Sequence, residues 1–160
     1  MNIEDYAMEL EKEGERFYRR LSETAPNSGL IKIFNWLAEE EVKHYFLFKK
    51  MKEGMVSEVQ PSDILFSAKE LFKKLAEEKS FDFGETQVSL YRDAQKVEKK
   101  SEDFYLQTAE STPDLQKKTM LLKIANEEKK HFFLLEKIID FVSRPQRWLE
   151  NAEFNQLEEY

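Results

Sequence analysis

A chain of 160 residues with 25 basic and 32 acidic side chains has the length of one domain, and its net charge of -7 argues against nucleic acid and anionic membrane as partners. It has no cysteine, which excludes disulfides, cysteine-held zinc and cysteine-held iron–sulfur clusters. Four Gly and four Pro among many Glu, Lys, Leu and Phe argue for helices. No apolar run approaches the roughly 20 residues of a membrane span. Met1-Asn2-Ile3-Glu4-Asp5 lacks the basic and apolar regions of a signal peptide, so the cytoplasm is the expected compartment.

Periodicity and breakers predict four long helices. The first runs from Ile3 to Ala25, with Ile3, Tyr6, Ala7, Leu10, Phe17 and Leu21 forming one apolar stripe. Pro26-Asn27-Ser28-Gly29 breaks it, and so short a link makes the next helix antiparallel. The second runs from Leu30 to Glu53 and stops at Gly54. The next stretch, on the order of 30 residues, is too long for a tight turn and must carry the chain back along the bundle. Within it Ser62 to Lys79 reads as an extra helix, apolar along Ile64, Leu65, Ala68, Leu71, Phe72 and Leu75. The third long helix starts near Gly84-Glu85 and ends before Pro113. The fourth starts at Pro113 or Asp114 and ends near Ser143. Each long helix spans about 35 Å at about 1.5 Å per residue. After Pro145, Trp148, Leu149, Ala152, Phe154, Leu157 and Tyr160 mark a short amphipathic helix. It is expected to cap its own bundle, the alternative being docking onto a second subunit. The expected organisation is an all-α, antiparallel four-helix bundle over 1–144 with a long crossover, followed by a tail helix over 145–160.

The chain has two histidines. Each follows a glutamate by three positions, in Glu41-Val42-Lys43-His44 and Glu128-Lys129-Lys130-His131. Positions i and i+3 share a helix face, so such a pair can hold one metal ion, and two facing helices can hold two. Setting His44 on His131 also aligns, without a gap, Ala7 with Ala94, Glu11 with Glu98, Glu15 with Glu102 and Phe17-Tyr18 with Phe104-Tyr105. Glu40-Glu41 falls on Glu127-Glu128, and Phe46-Leu47 on Phe133-Leu134. The bundle is therefore a duplicated helical hairpin.

A di-metal bundle needs one further glutamate from each remaining helix. Of Glu4, Glu9, Glu11, Glu13 and Glu15, Glu11 has an acidic mate, Glu98, and the face neighbours Ala7, Gly14 and Tyr18. Glu15, Glu40, Glu102 and Glu127 read as solvated or rim carboxylates. The set Glu11, Glu41, His44, Glu98, Glu128 and His131 offers four negative charges, which two divalent ions would cancel. Without metal the carboxylates repel and take up protons. Hard oxygen with one nitrogen per ion suits iron or manganese, and oxygen or peroxide chemistry. Tyr18 and Tyr105, two turns along the same face, are candidates to hydrogen-bond ligand carboxylates and so support catalysis. Gly14 and Ser101, one turn after the glutamates, leave room at the centre. Trp36, Phe34, Phe46 and Phe133 read as core.

On Ala7-x3-Glu11-x2-Gly14-x2-Phe17-Tyr18, on Ala38-x-Glu40-Glu41-x2-His44 and on their second-half copies, the chain resembles the rubrerythrin and ferritin-like di-iron carboxylate family. It looks most like a stand-alone rubrerythrin-type domain, over about residues 3–143. The resemblance implies a ferritin-like bundle. It makes Glu11, Glu41 and His44 ligands in the first half and Glu98, Glu128 and His131 in the second. It implies two iron ions per chain, or manganese, and an oxidoreductase that reduces hydrogen peroxide or dioxygen. Electrons would come from a rubredoxin-like or similar donor protein, and the assembly would be a homodimer or higher homo-oligomer. The chain departs from rubrerythrins in two ways. It lacks their Cys-rich rubredoxin module, and Gln95 stands three positions before Glu98, where rubrerythrins tend to carry an extra glutamate. The alternative is a ferritin-like protein that oxidises and sequesters iron, and a third reading is a structural or metal-sensing bundle.

Overall fold

The structure is a computed structural model that describes residues 2–77 and 87–143. It contains α1 (Ile3–Thr24), α2 (Ser28–Lys52), α3 (Ile64–Glu77), α4 (Val88–Glu110) and α5 (Leu115–Ser143). Local chemistry sets several of the ends. Asn2 caps α1 by accepting from Asp5 N at 2.8 Å, and Asn27 caps α2 by accepting from Leu30 N at 2.9 Å. Helix α2 therefore begins slightly before the predicted Leu30. It ends at Lys52, and the turn just beyond it passes through Gly54, whose φ of 87° suits a residue without Cβ. Asp114 accepts from Gln116 N at 2.9 Å and so caps α5.

The two hairpins, α1–α2 and α4–α5, pack against each other through α1 with α4 and α2 with α5. Helix α3 lies on α2 and α5, as expected of a crossover helix. At Gly29 of α2 it packs closely, so that an added Cβ would stand 2.5 Å from a Leu75 methyl. Phe72 of α3 stacks on Phe141 of α5 with ring centroids 4.9 Å apart. The predicted start near Gly84-Glu85, the end of the crossover helix at Lys79 and the tail helix after Pro145 lie outside the described residues. Among the described residues, no helix is long and apolar enough to cross a membrane.

The core is split in two along the bundle. One cluster joins Leu30, Phe34, Leu37, Ala68, Phe72, Tyr91, Leu134 and Ile138. The other joins Ala7, Leu10, Phe48, Tyr105, Leu121 and Ile124. Reading each long helix from one cluster to the other crosses the same gap, filled by Glu11, Glu41, His44, Glu98, Glu128 and His131. The fold thus places a charged layer between two dry ones, where interactions with ions are weakly screened. Of the aromatic residues expected in the core, Phe34 is fully buried and Trp36 and Phe133 pack partly buried against it. Phe46 instead points outward, 50% exposed.

Candidate metal centre

Six side chains converge in the polar layer, one from each of α1 and α4 and two from each of α2 and α5. Glu11, Glu41, His44 and Glu128 form one group whose ligand atoms lie within 4.8 Å of one another, and Glu41, Glu98, Glu128 and His131 form a second. The helix-pair glutamates, Glu41 and Glu128, belong to both groups, while Glu11 with His44 and Glu98 with His131 complete one each. The four carboxylates and His131 are at most 2% exposed, and His44 is 5% exposed. His44 Nδ1 stands 2.8 Å from Glu128 Oε1, and His131 Nδ1 stands 3.0 Å from Glu41 Oε1 and 3.2 Å from Glu98 Oε1. The two imidazoles lie nearly parallel, 6.0 Å apart.

The hairpins exchange hydrogen bonds across this layer. Tyr18 donates to Glu98 Oε1 at 2.5 Å, and Tyr105 donates to Glu11 Oε1 at 2.8 Å. Each tyrosine thus hydrogen-bonds the glutamate of the other half that belongs to a single group. Burial first, and then the charges of Glu98 and Glu11 respectively, push both phenols well above the usual tyrosine range, so both hydroxyls remain donors.

One oxygen of every candidate carboxylate accepts no hydrogen bond, namely Glu11 Oε2, Glu41 Oε1, Glu98 Oε2 and Glu128 Oε2, although Glu41 Oε1 lies near the His131 imidazole and Glu11 Oε2 lies 3.6 Å from His44 Nδ1. Four such orphans converging in a dry layer would be costly in a purely structural cluster. Cations between them would satisfy all four. Gly14 fits the same account, since a Cβ there would stand 2.6 Å from Glu41 Oε2. The donor set therefore fits two oxygen-preferring divalent ions with one imidazole each. Ser101, the repeat mate of Gly14, is buried on α4.

Protonation in the absence of metal follows from the crowding. Burial, followed by repulsion from Glu11, raises Glu41 and Glu128 well above the carboxylate range. Burial, the largest single effect, acts to raise Glu11 and Glu98, but the neighbouring imidazoles and the hydrogen bonds from adjacent carboxyls and Tyr18 together outweigh it. Glu11 falls to about 2, chiefly through His44 and with hydrogen bonds from Glu41 and Glu128, and Glu98 is lowered chiefly through His131. Burial opposes the charge on His131, yet Glu98 and Glu40 together lift its pKa well above the usual value. The two shared carboxyls thus carry protons that arriving cations must displace.

Of the four carboxylates read from sequence as solvated or rim, Glu102 and Glu127 are buried, and Glu40 lies at the rim but is engaged by the centre. Glu40 is partly buried, with its Oε1 2.7 Å from His131 Nε2 and its Oε2 accepting from the Ser62 hydroxyl. Glu127 is 3% exposed, accepting from Ser62 N at 2.7 Å and lying 2.9 Å from Lys130 Nζ. Glu102 is 9% exposed and pairs with Lys99 at 3.6 Å. Glu15, in an i,i+4 pair with Arg19, is partly exposed as expected. The correction for Glu40 and Glu127 has a tertiary cause. Each sits one residue before a ligand glutamate, about 100° around the helix, and the crossover runs over that flank. Their shared place in the repeat was the available sequence signal; Ser62 had none. Gln95 is turned away from the centre, donating to Glu136 Oε2 at 2.9 Å and to Phe132 O at 3.3 Å.

Residues 3–139 match the protein-family model described as Rubrerythrin. No curated protein matches the chain. Among solved structures, the chain is similar to a hypothetical protein from Pyrococcus furiosus, with 22% identity, 85% of each chain covered and a TM-score of 0.62. At that identity the likeness bears on the fold alone.

Proposed function

Since the chain belongs to the rubrerythrin family, we propose that its six-residue centre binds two iron ions and reduces hydrogen peroxide, or dioxygen, with electrons from a separate donor protein. One observation carries this reading: two four-residue groups share Glu41 and Glu128, and one oxygen of each of the four carboxylates accepts no hydrogen bond. When bound, the pair of ions would supply the electrons that the oxidant accepts. Peroxide takes two electrons and two protons to give two waters. The donor restores the electrons, and because the chain has no cysteine, no thiolate-held relay can stand within it.

The side chains have distinct parts in this reading. Glu11 with His44, and Glu98 with His131, would each hold one ion, and Glu41 and Glu128, which belong to both groups, would contribute to both. Tyr18 and Tyr105 keep one oxygen of Glu98 and Glu11 hydrogen-bonded, leaving the other for metal. The apolar clusters on either side limit water at the centre. Gln95 in place of a further carboxylate leaves six ligands, so the centre lacks the extra glutamate of the peroxide-reducing relatives that the sequence resembles.

The test is to load the chain anaerobically with two ferrous ions and mix rapidly with peroxide or oxygen, following ferric absorbance. Faster oxidation by peroxide without further iron uptake is the expected result. Faster oxidation by oxygen with continued uptake would favour iron sequestration, the competing reading.

A further inference from the structure

The repeat makes the two halves of the centre alike in ligands, but the crossover makes their surroundings different. His131 is fully buried, and its outer nitrogen, Nε2, is held by Glu40, which is itself held by Ser62. His44 occupies the equivalent place in the first half. Glu127, the repeat mate of Glu40, is drawn instead to Ser62 N and Lys130. Among the described residues, all polar contacts of His44 are made by the inner nitrogen, Nδ1. His44 also lines a half-open cavity of about 620 Å³ between α2 and crossover residues 58–63. His131 does not line it.

We infer that divalent cations reach the centre through this cavity, passing the outer edge of His44, so that the His44 half is the loading side and the His131 half the fixed side. This rests on the two-ion reading above. The charge of the cavity favours a cation. Its wall carries four carboxylates, on Glu40, Glu58, Asp63 and Glu127, against the ammonium groups of Lys43 and Lys50; Glu40 and Glu127 are also engaged by His131 and Lys130, which leaves Glu58 and Asp63 at the mouth as the first carboxylates a cation meets. A cleft of one sign with low-dielectric walls raises the local concentration and arrival rate of the opposite ion. The remaining ligands lie deeper, between the two apolar clusters. A path ending at His44 delivers an ion directly to Glu11 and the shared Glu41 and Glu128.

The experiment uses cobalt(II) as the probe, with uptake by the full chain followed by stopped-flow absorbance and capacity by equilibrium titration. Glu58→Lys should slow uptake at low salt by about three- to tenfold, and Lys43→Glu should accelerate it by a similar factor, by the usual range of electrostatic steering. Both effects should shrink at high salt, with capacity unchanged at two ions. Glu23→Lys makes the same charge change as Glu58→Lys, at an exposed site near the end of α1 beyond the other apolar cluster. It should leave the rate unchanged. Equal slowing by Glu58→Lys and Glu23→Lys, or no acceleration by Lys43→Glu, would overturn the inlet while leaving the centre intact. A wild-type chain that binds no cobalt would overturn the two-ion reading, and the inlet with it.

Discussion

Replacing Gly14 by alanine adds one methyl group at the wall of the centre. The added Cβ would stand 2.6 Å from Glu41 Oε2, 3.1 Å from its Cδ and 3.4 Å from its Cγ. Real Cβ contacts essentially never fall below 3.0 Å, so the oxygen must retreat by at least about 0.4 Å, and by about 0.8 Å to reach ordinary contact. Metal–ligand distances tolerate only about 0.2 Å. Because Glu41 belongs to both groups, both ions should bind about 10- to 100-fold more weakly, in the range seen when a ligand's support is disturbed, which corresponds to about 1.4 to 2.8 kcal/mol per ion. The metal-free protein should respond differently. Alanine is favoured over glycine within a helix by about 1 kcal/mol, which offsets part of the cost of moving a buried carboxyl. Isothermal titration with cobalt or ferrous ions, beside urea unfolding of the metal-free variant, separates the two effects. If G14A binds two ions with wild-type affinity, Glu41 is not a shared ligand.

Tyr105→Phe removes the hydroxyl that holds Glu11 and strands a buried carboxylate oxygen, so the metal-free protein should lose about 1 to 3 kcal/mol in urea unfolding; no loss would mean Glu11 is oriented by other groups. Raised folded-state pKa values at Glu41, Glu128 and His131 mean that their protons stabilise the fold. For the two glutamates that contribution is complete below the ordinary carboxylate pKa of 4.5 and fades as pH rises through the raised values. The lowered Glu11, Glu98 and Glu40 act oppositely, contributing above 4.5 and losing their effect on acidification. Calorimetry should therefore show the metal-free melting temperature falling as pH rises above about 5, while metal affinity rises in the same direction as protons leave. A metal-free melting temperature that instead rises with pH there would contradict the protonated pair. Phe72→Ala should cost about 3 to 5 kcal/mol, because Phe72 is fully buried and ties α3 to Phe141; a cost under about 1 kcal/mol would show that α3 contributes little to the core.

Much of the centre was legible because its determinants are local and repeated. Glu-x-x-His is a statement about one helix turn, and the gapless match of the halves selected Glu11 and Glu98 from a crowd of glutamates. The same register placed Tyr18 and Tyr105 on the ligand face. What it could not give was which half each tyrosine serves. Both reach across to the opposite hairpin, and that depends on how the hairpins are laid together. Glu40 and Glu127 were misread for a related reason. Glutamate next to a ligand position usually faces water, and the crossover that covers these two comes from elsewhere in the chain.

Helix type, the four-helix count, the duplication and the six ligand candidates were thus set by the order of residues, since they follow from spacing within turns and from the breakers between them. The sharing of Glu41 and Glu128, the orphaned oxygens and the close fit of Gly14 against Glu41 were decided only when four helices met. So was the inequality of His44 and His131. Their sequence surroundings are near copies, but a crossover on one flank encloses the second histidine and leaves the outer edge of the first beside a cavity.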